Sequence, residues 1–117
     1  MSKFTDPIHE PPPDPKDVAR ENAKRRRRDN VEQLPSGFTF RASGRHGFVY
    51  YREGDHILEL CWEMSGREDR EIILSLRGLR EWALPRVEPV DAAKQKQIED
   101  ELRKWLELNN VRSTFAE

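Results

Sequence analysis

The residues most able to do chemistry are five adjacent cations, the basic run Lys24, Arg25, Arg26, Arg27 and Arg28. Such a run neutralises phosphates and releases their counterions, so it is typical of sites that bind RNA, DNA or a targeting receptor. Acidic residues flank the run, and no aromatic residue is interleaved with it for base stacking. A solvated linker is the simpler interpretation, because most charge runs are only solvated. Nucleic-acid binding or regulation through this run is the alternative function.

Three further residues have the chemistry of metal ligands. His46, Glu63 and Glu71 combine one imidazole with two carboxylates, a set that suits several divalent ions. If Glu63 faces His46 on one side and Glu71 on the other, a cross-strand charge arrangement explains the same residues. No second histidine or cysteine converges on them, so we predict neither a metal nor a cofactor.

The single cysteine, Cys61, is a candidate nucleophile. Nucleophilic catalysis needs a positioned base, and no histidine is predicted beside Cys61. We therefore expect it to be a small, half-buried hydrophobe on the outer face of a sheet. The sequence has no phosphate-binding glycine loop and no nucleophile elbow. We predict no catalytic residues and no enzymatic activity.

The composition limits the class of protein and the compartment in which these residues can act. The chain has 117 residues, a formal net charge of −1, 35% hydrophobic and 37% charged residues. The near-zero charge argues against a generally nucleic-acid-binding surface. A lone cysteine fits a reducing compartment. No apolar stretch approaches the roughly 20 residues of a membrane span, and no secretory signal is present, so we expect a cytoplasmic protein without membrane contact.

The polar excess is concentrated in a proline- and arginine-rich leader, residues 1–34, which precedes a domain at residues 35–117. The leader has too few apolar residues to offset its ordering entropy and is expected to be disordered or marginally helical. Any helix in it begins at Asp14 as N-cap, with Pro15 at the first helical position.

Four alternating segments between Phe38 and Arg77 predict the strands of one antiparallel sheet. Gly44-Arg45 and Gly54-Asp55 suit two-residue hairpin turns. The second turn pairs Tyr51 with Leu58, Val49 with Leu60, and Gly47 with Trp62, where the missing side chain leaves room for the indole. A five-residue loop, Ser65 to Asp69, then pairs Trp62 with Ile72, Leu60 with Leu74, and Leu58 with Leu76. A three-residue first loop would move Phe38 and Phe40 to the opposite face, so that register stays open.

A helix follows the sheet. Leu79 and Trp82 predict a short helical turn that Pro85 ends. Asp91 is the N-cap of a longer helix that stops at Asn109 and Asn110. Ile98, Leu102, Trp105 and Leu106 form one apolar stripe of it. The predicted fold class is α+β: a four-stranded antiparallel meander packed on one face by a C-terminal helix.

The other face of the sheet is the predicted protein-binding surface. Aromatic and aliphatic residues rimmed by charge are what a recognition patch needs. The candidates are Phe48, Tyr50, Arg41, Glu59, Ile73 and Arg77. Coverage by the leader or by a second subunit is the competing interpretation, and the oligomeric state stays open.

Three segments carry a family resemblance: 51–54 (Tyr-Arg-Glu-Gly), 63–66 (Glu-Met-Ser-Gly) and 75–85, which contains Trp82 and ends at Pro85. With the C-terminal helix, they resemble small bacterial immunity proteins of polymorphic toxin systems, over about Phe38 to Leu108. The spacing from strand to tryptophan is longer here than in that pattern. The resemblance implies a non-enzymatic protein that binds and neutralises a partner toxin, and it carries over no catalytic residues.

Overall fold

The computed structural model describes residues 14–66 and 71–117. The chain divides into two compact units, Met1–Glu32 and Gln33–Glu117. The helices are α1 (Pro15–Arg28) and α2 (Ala92–Leu108). The strands are β1 (Gly37–Ser43), β2 (His46–Glu53), β3 (His56–Met64), β4 (Ile72–Ser75), β5 (Glu81–Trp82), β6 (Glu88–Pro89) and β7 (Ser113–Ala116). Short 3-10 helices occupy Val31–Gln33 and Leu76–Leu79.

The first unit contains α1, so the helical form of the leader is the one observed from Pro15 onward. The helix begins as predicted: a carboxylate oxygen of Asp14 accepts a hydrogen bond from the backbone N–H of Lys16 at 2.9 Å. None of its residues is buried. Four arginines in its last turn interact favourably with the negative end of the helix dipole. The disorder expected for the proline-rich start concerns residues 1–13, which lie outside the described residues.

The second unit is built on a five-stranded sheet of order β1-β2-β3-β4-β7. The α+β class is confirmed, but the four-stranded meander is wrong in one respect. β7 adds a fifth strand, parallel to β4. Parallel neighbours need a long crossover connection, and the segment that contains α2 provides it. Four residues of strand alternation are too short to stand out in the sequence.

Both hairpins form as the turn residues predict. Ser43 pairs with His46 around Gly44-Arg45, and Glu53 pairs with His56 around Gly54-Asp55. The two-residue first turn settles the open register, because it places Phe38 and Phe40 on the inner face. That face also carries the three predicted pairs of β2 and β3, which are Tyr51 with Leu58, Val49 with Leu60, and Gly47 with Trp62.

The register between β3 and β4 differs from the prediction by two residues. Trp62 pairs with Leu74 rather than Ile72, and Met64 pairs with Ile72. A slip of two residues keeps every side chain on its own face, so the hydrophobic alternation fits both registers equally. The predicted loop Ser65 to Asp69 falls partly on residues 67–70, outside the described residues.

The segment after β4 also differs from the prediction. Its 3-10 helix spans Leu76–Leu79, whereas Trp82 lies in β5, paired with β6. Gly78 is required there by close packing, because a Cβ at this position would lie 2.1 Å from the carbonyl oxygen of Glu59 on β3. Strand β4 therefore ends where the chain turns across β3, two residues before the predicted end.

Helix α2 covers the inner face of the sheet. Asp91 caps it through a 2.8 Å hydrogen bond from the backbone N–H of Lys94, and Asn110 ends it with a positive φ of 57°. Its buried residues are Ile98, Leu102 and Leu106. They share one hydrophobic core with Val49, Tyr51, Leu58, Leu60, Trp62, Ile72, Leu74, Leu79, Trp82 and Val90. Trp105 is only partly buried, with its ring 5.4 Å from that of Phe38.

We predict that Leu102→Ala lowers the free energy of unfolding by about 2–5 kcal/mol, because it leaves a cavity in a fully buried site. Leu108→Ala is the matched control, since the same truncation removes a side chain that is 82% exposed. Urea unfolding followed by circular dichroism measures both. Equal midpoints for the two variants would show that α2 is not docked through Leu102.

Gly47→Ala is predicted to destabilise the sheet by about 1–3 kcal/mol, the usual effect of overpacking. The added Cβ would lie 2.0 Å from the carbonyl oxygen of Arg41 and 2.9 Å from the indole of Trp62. That same carbonyl accepts the indole N–H at 3.2 Å. Thermal unfolding and tryptophan fluorescence report the change, and an unaltered midpoint would contradict the tight packing.

Candidate functional site

The outer sheet face is where most predicted partner-binding residues meet. Arg41 pairs with Phe48 on neighbouring strands, and Tyr50 pairs with Glu59 in the same alternation. Ile73 lies on this face opposite Glu63. Arg77 is the exception: it lies in the 3-10 helix Leu76–Leu79, because β4 ends at Ser75. Arg77 is exposed but does not belong to the sheet face.

The prediction that Tyr50 is an exposed anchor is wrong, because its exposed fraction is 0%. Tyr50 lies on β2 between Thr39 and Glu59, and its ring stacks on that of Phe48 with centroids 5.9 Å apart. Ile57, on the same face, is 3% exposed. The half of the outer face around Tyr50 and Ile57 is therefore largely closed, with Thr39 and Glu59 half-buried beside Tyr50.

The other half of the outer face is accessible. We call it the exposed patch, and it consists of Arg41, His46, Phe48, Cys61, Glu63 and Ile73. Phe48 lies between Arg41 and Cys61, and Glu63 lies between His46 and Ile73. Phe48 and Ile73 are half-buried, and the other four residues are exposed. The patch thus combines two apolar side chains with a cation and a carboxylate.

Cys61 and the imagined metal site both need correction. Cys61 is exposed rather than half-buried. Glu63 faces Ile73 instead of Glu71, because the register of β4 is shifted by two residues. Within residues 14–66 and 71–117, no group of three histidine, cysteine or acidic side chains could hold a metal ion.

The basic run is divided by its helix. Consecutive residues of an α-helix are about 100° apart, so five adjacent cations cannot face one way. Lys24, Arg27 and Arg28 are exposed, whereas Arg25 and Arg26 are half-buried. Arg25 donates a hydrogen bond to the side-chain oxygen of Asn22 at 3.4 Å. The sequence run is therefore two sets of cations in different environments.

A polar cluster that the sequence did not indicate joins β2 to α2. The carboxylate of Glu53 accepts hydrogen bonds from the ammonium of Lys94 at 2.6 Å and from the hydroxyl of Tyr51 at 3.1 Å. The bond from Lys94 lowers the pKa of Glu53. Burial, followed by the adjacent Glu53 carboxylate, raises the pKa of Tyr51 to about 12. Tyr51 stays protonated at neutral pH and donates to Glu53, while the bond from Lys94 to Glu53 links α2 to β2.

His56 lies beside this cluster. Its ring meets that of Trp82 edge-on at 5.0 Å, and its Nε2 is 3.8 Å from a carboxylate oxygen of Glu88. Glu88 also accepts a hydrogen bond from Arg86, which lowers the pKa of the carboxyl group. The carboxylate of Glu88 is thus shared between Arg86 of the β5–β6 hairpin and His56 of β3.

Over the described part of the chain, neither helix is long and apolar enough to cross a membrane. Comparison with protein-family models, with curated proteins and with solved structures finds no match to this chain. The arrangement of the exposed surfaces is therefore the evidence on function.

We predict that Glu53→Gln lets Tyr51 ionise at lower pH, though still above its usual range because burial remains. The variant is also less stable at neutral pH, by no more than about 1 kcal/mol since the Glu53 side chain is 45% exposed. The folded pKa of Glu53 is lowered, so its stabilisation is complete above the usual value and is lost as pH falls through the lowered pKa.

Urea unfolding of the wild type and of Glu53→Gln, measured from neutral to acidic pH, checks the sign of this effect. The two stability curves should converge at the acidic end. A gap that widens as pH falls would contradict the lowered pKa of Glu53. Tyrosine ionisation, followed by ultraviolet absorbance in a Tyr50→Phe background, isolates the shift at Tyr51.

Proposed function

We propose that this chain is a non-enzymatic protein-binding module of the immunity type, which neutralises a toxin domain by binding it with the exposed patch. The observation that carries the proposal is the accessible half of the outer sheet face. The inner face is filled by α2, so the sheet has one side left for a partner. A cytoplasmic location belongs to the same proposal, supported by the free cysteine Cys61.

The chemistry of the patch supports a protein partner. Phe48 and Ile73 provide apolar contact area on two strands of one rigid sheet. Arg41 lies beside Phe48, and Glu63 lies beside Ile73, so the patch has opposite charges at two places. Such charges orient a complementary partner and disfavour partners with the wrong charge pattern. Interface energy concentrates in aromatic and arginine side chains, so Phe48 and Arg41 are the expected anchors. Of the two aromatic candidates that the sequence suggests, Phe48 is partly accessible and Tyr50 is not.

The resemblance to immunity proteins points the same way. Its three segments build the hairpin of β2 and β3, the end of β3, and the chain from β4 to Pro85. These segments include the ends of β2, β3 and β4, which belong to the sheet that carries the exposed patch. The family function needs binding alone, and mixed apolar and charged side chains on a rigid sheet supply contacts of that kind.

A second candidate function, nucleic-acid binding, is favoured by the charge of α1. The helix has seven basic and two acidic residues, a formal charge of +5. The remainder has fourteen basic and twenty acidic residues, a formal charge of −6. A sign asymmetry of this kind is typical of chains that meet a polyanion with one segment.

The neighbouring gene is the first test of the immunity function. We expect a gene for a large multidomain toxin beside the gene for this chain. The probe is the C-terminal toxin domain of the protein that it encodes. Co-expression of the chain should rescue growth of cells that express the domain. Growth arrest despite soluble co-expression would overturn the proposal.

We predict that Arg41→Glu weakens binding of the toxin domain about tenfold or more, since loss of a hot-spot arginine exceeds 1 kcal/mol. Lys104→Glu is the matched control: it makes the same change of charge at an exposed position of α2. Isothermal titration calorimetry compares the two variants. Equal weakening by both would mean that net charge, and not the exposed patch, determines affinity.

A further inference from the structure

Helix α1 presents a row of cations that the basic run alone does not reveal. Lys16, Arg20, Lys24, Arg27 and Arg28 are spaced i, i+4, i+8, i+11 and i+12, and all are exposed. At about 100° per residue they fall within an arc of roughly 120°, and at about 1.5 Å per residue they extend over ~18 Å. We call this row the basic stripe.

The opposite side of α1 has a different environment. Asn22, Arg25, Arg26 and the capping residue Asp29 are spaced i, i+3, i+4 and i+7, and all four are half-buried. The helix therefore has two sides, although its apolar residues make no stripe. Arg25 and Arg26, which look equivalent to their neighbours in the sequence, do not belong to the exposed row.

The charge of the stripe is only weakly neutralised. Arg20 lies 4.0 Å from Asp17, and Lys24 lies 3.7 Å from Glu21. All four side chains are at least 65% exposed. Exposed pairs of this kind contribute little and exchange readily with other partners. Arg28 differs, because it lies 3.5 Å from Asp29, whose side chain is only 12% exposed. The stripe therefore retains most of its cations for an external anion.

We propose that the basic stripe binds duplex DNA through its phosphates, without reading the base sequence; this rests on the second candidate function. Duplex DNA carries about one negative charge per 1.7 Å along its axis, so an ~18 Å row of cations meets several phosphates at once. The major groove of B-form DNA admits an α-helix, whereas that of A-form RNA is too narrow for one.

Other polyanions fit the stripe less well. A membrane-surface helix needs a broad apolar face, and the single large apolar side chain that α1 exposes is Val18, at 41%. Single-stranded nucleic acid needs aromatic platforms for its bases, and α1 has no aromatic residue. Asn22, the amide residue of α1 that suits an adenine edge, is half-buried on the opposite side. The stripe consists of lysine and arginine cations alone, and the phosphates are the groups that every duplex presents to such cations.

The experiment measures binding of the full chain to a fluorescent DNA duplex of about two helical turns by anisotropy, over a series of salt concentrations. If all five cations contact phosphates, the slope of log affinity against log salt is no steeper than about −4.5. Lys24→Gln/Arg27→Gln removes two stripe cations. Arg25→Gln/Arg26→Gln removes the same charge from the half-buried side and is the matched control.

We expect the Lys24/Arg27 variant to lose about tenfold or more in affinity and about 2 units of salt slope. The Arg25/Arg26 variant should keep most of both. If circular dichroism shows that this control has lost helix, Arg80→Gln/Arg112→Gln replaces it, since both residues are exposed in the second unit. Duplexes of unrelated sequence should bind equally.

The outcomes distinguish a failure of the basic stripe as the binding surface from a failure of nucleic-acid binding as the function. Salt-dependent binding that both pairs of substitutions weaken equally overturns the stripe and leaves nucleic-acid binding standing. Preference for single-stranded DNA or a duplex RNA overturns the choice of ligand. Absence of binding to any nucleic acid at low salt, or binding only to phosphatidylserine vesicles, overturns the second candidate function itself.

Discussion

The docking of α2 on the inner face of the sheet is the interaction on which the rest of the structure depends. Ile98, Leu102 and Leu106 are each at most 2% exposed, and burial of one such side chain contributes about 1.5–3 kcal/mol. In so small a unit this is a large share of the hydrophobic stabilisation. Because α2 occupies the inner face, recognition by the sheet is limited to the outer face.

The two proposed surfaces differ in the physics of binding. The exposed patch mixes apolar and oppositely charged side chains on rigid strands, so desolvation and shape add to its affinity, which changes less with salt than that of the basic stripe. The basic stripe has one sign of charge and almost no apolar area, so its affinity comes from counterion release and falls steeply with salt. Each unit of the chain thus carries one proposed surface. The dependence of binding on ionic strength distinguishes the two.

Alternation along β2 correctly predicts which face each side chain occupies, but not which side chains stay accessible. Phe48 and Tyr50 are two residues apart on one face, yet the first is half-buried and the second is fully buried. The same limit applies to α1, where Arg26 and Arg27 are adjacent in sequence but lie in different environments. Accessibility depends on how the chain packs, and period and composition do not contain that information.

The sequence by itself determined the class, the two hairpin turns, the caps of both helices and the pairing of Gly47 with Trp62. Each of these rests on contacts between near neighbours or on the conformational demands of glycine, proline and aspartate. Only the tertiary structure decided the register of β4, the addition of β7 and the burial of Tyr50. A two-residue slip of β4 preserves the hydrophobic alternation, so local pattern gives both registers nearly equal energy. The four-residue edge strand β7 is stabilised by the strand it pairs with. Packing of the whole unit therefore determines both features.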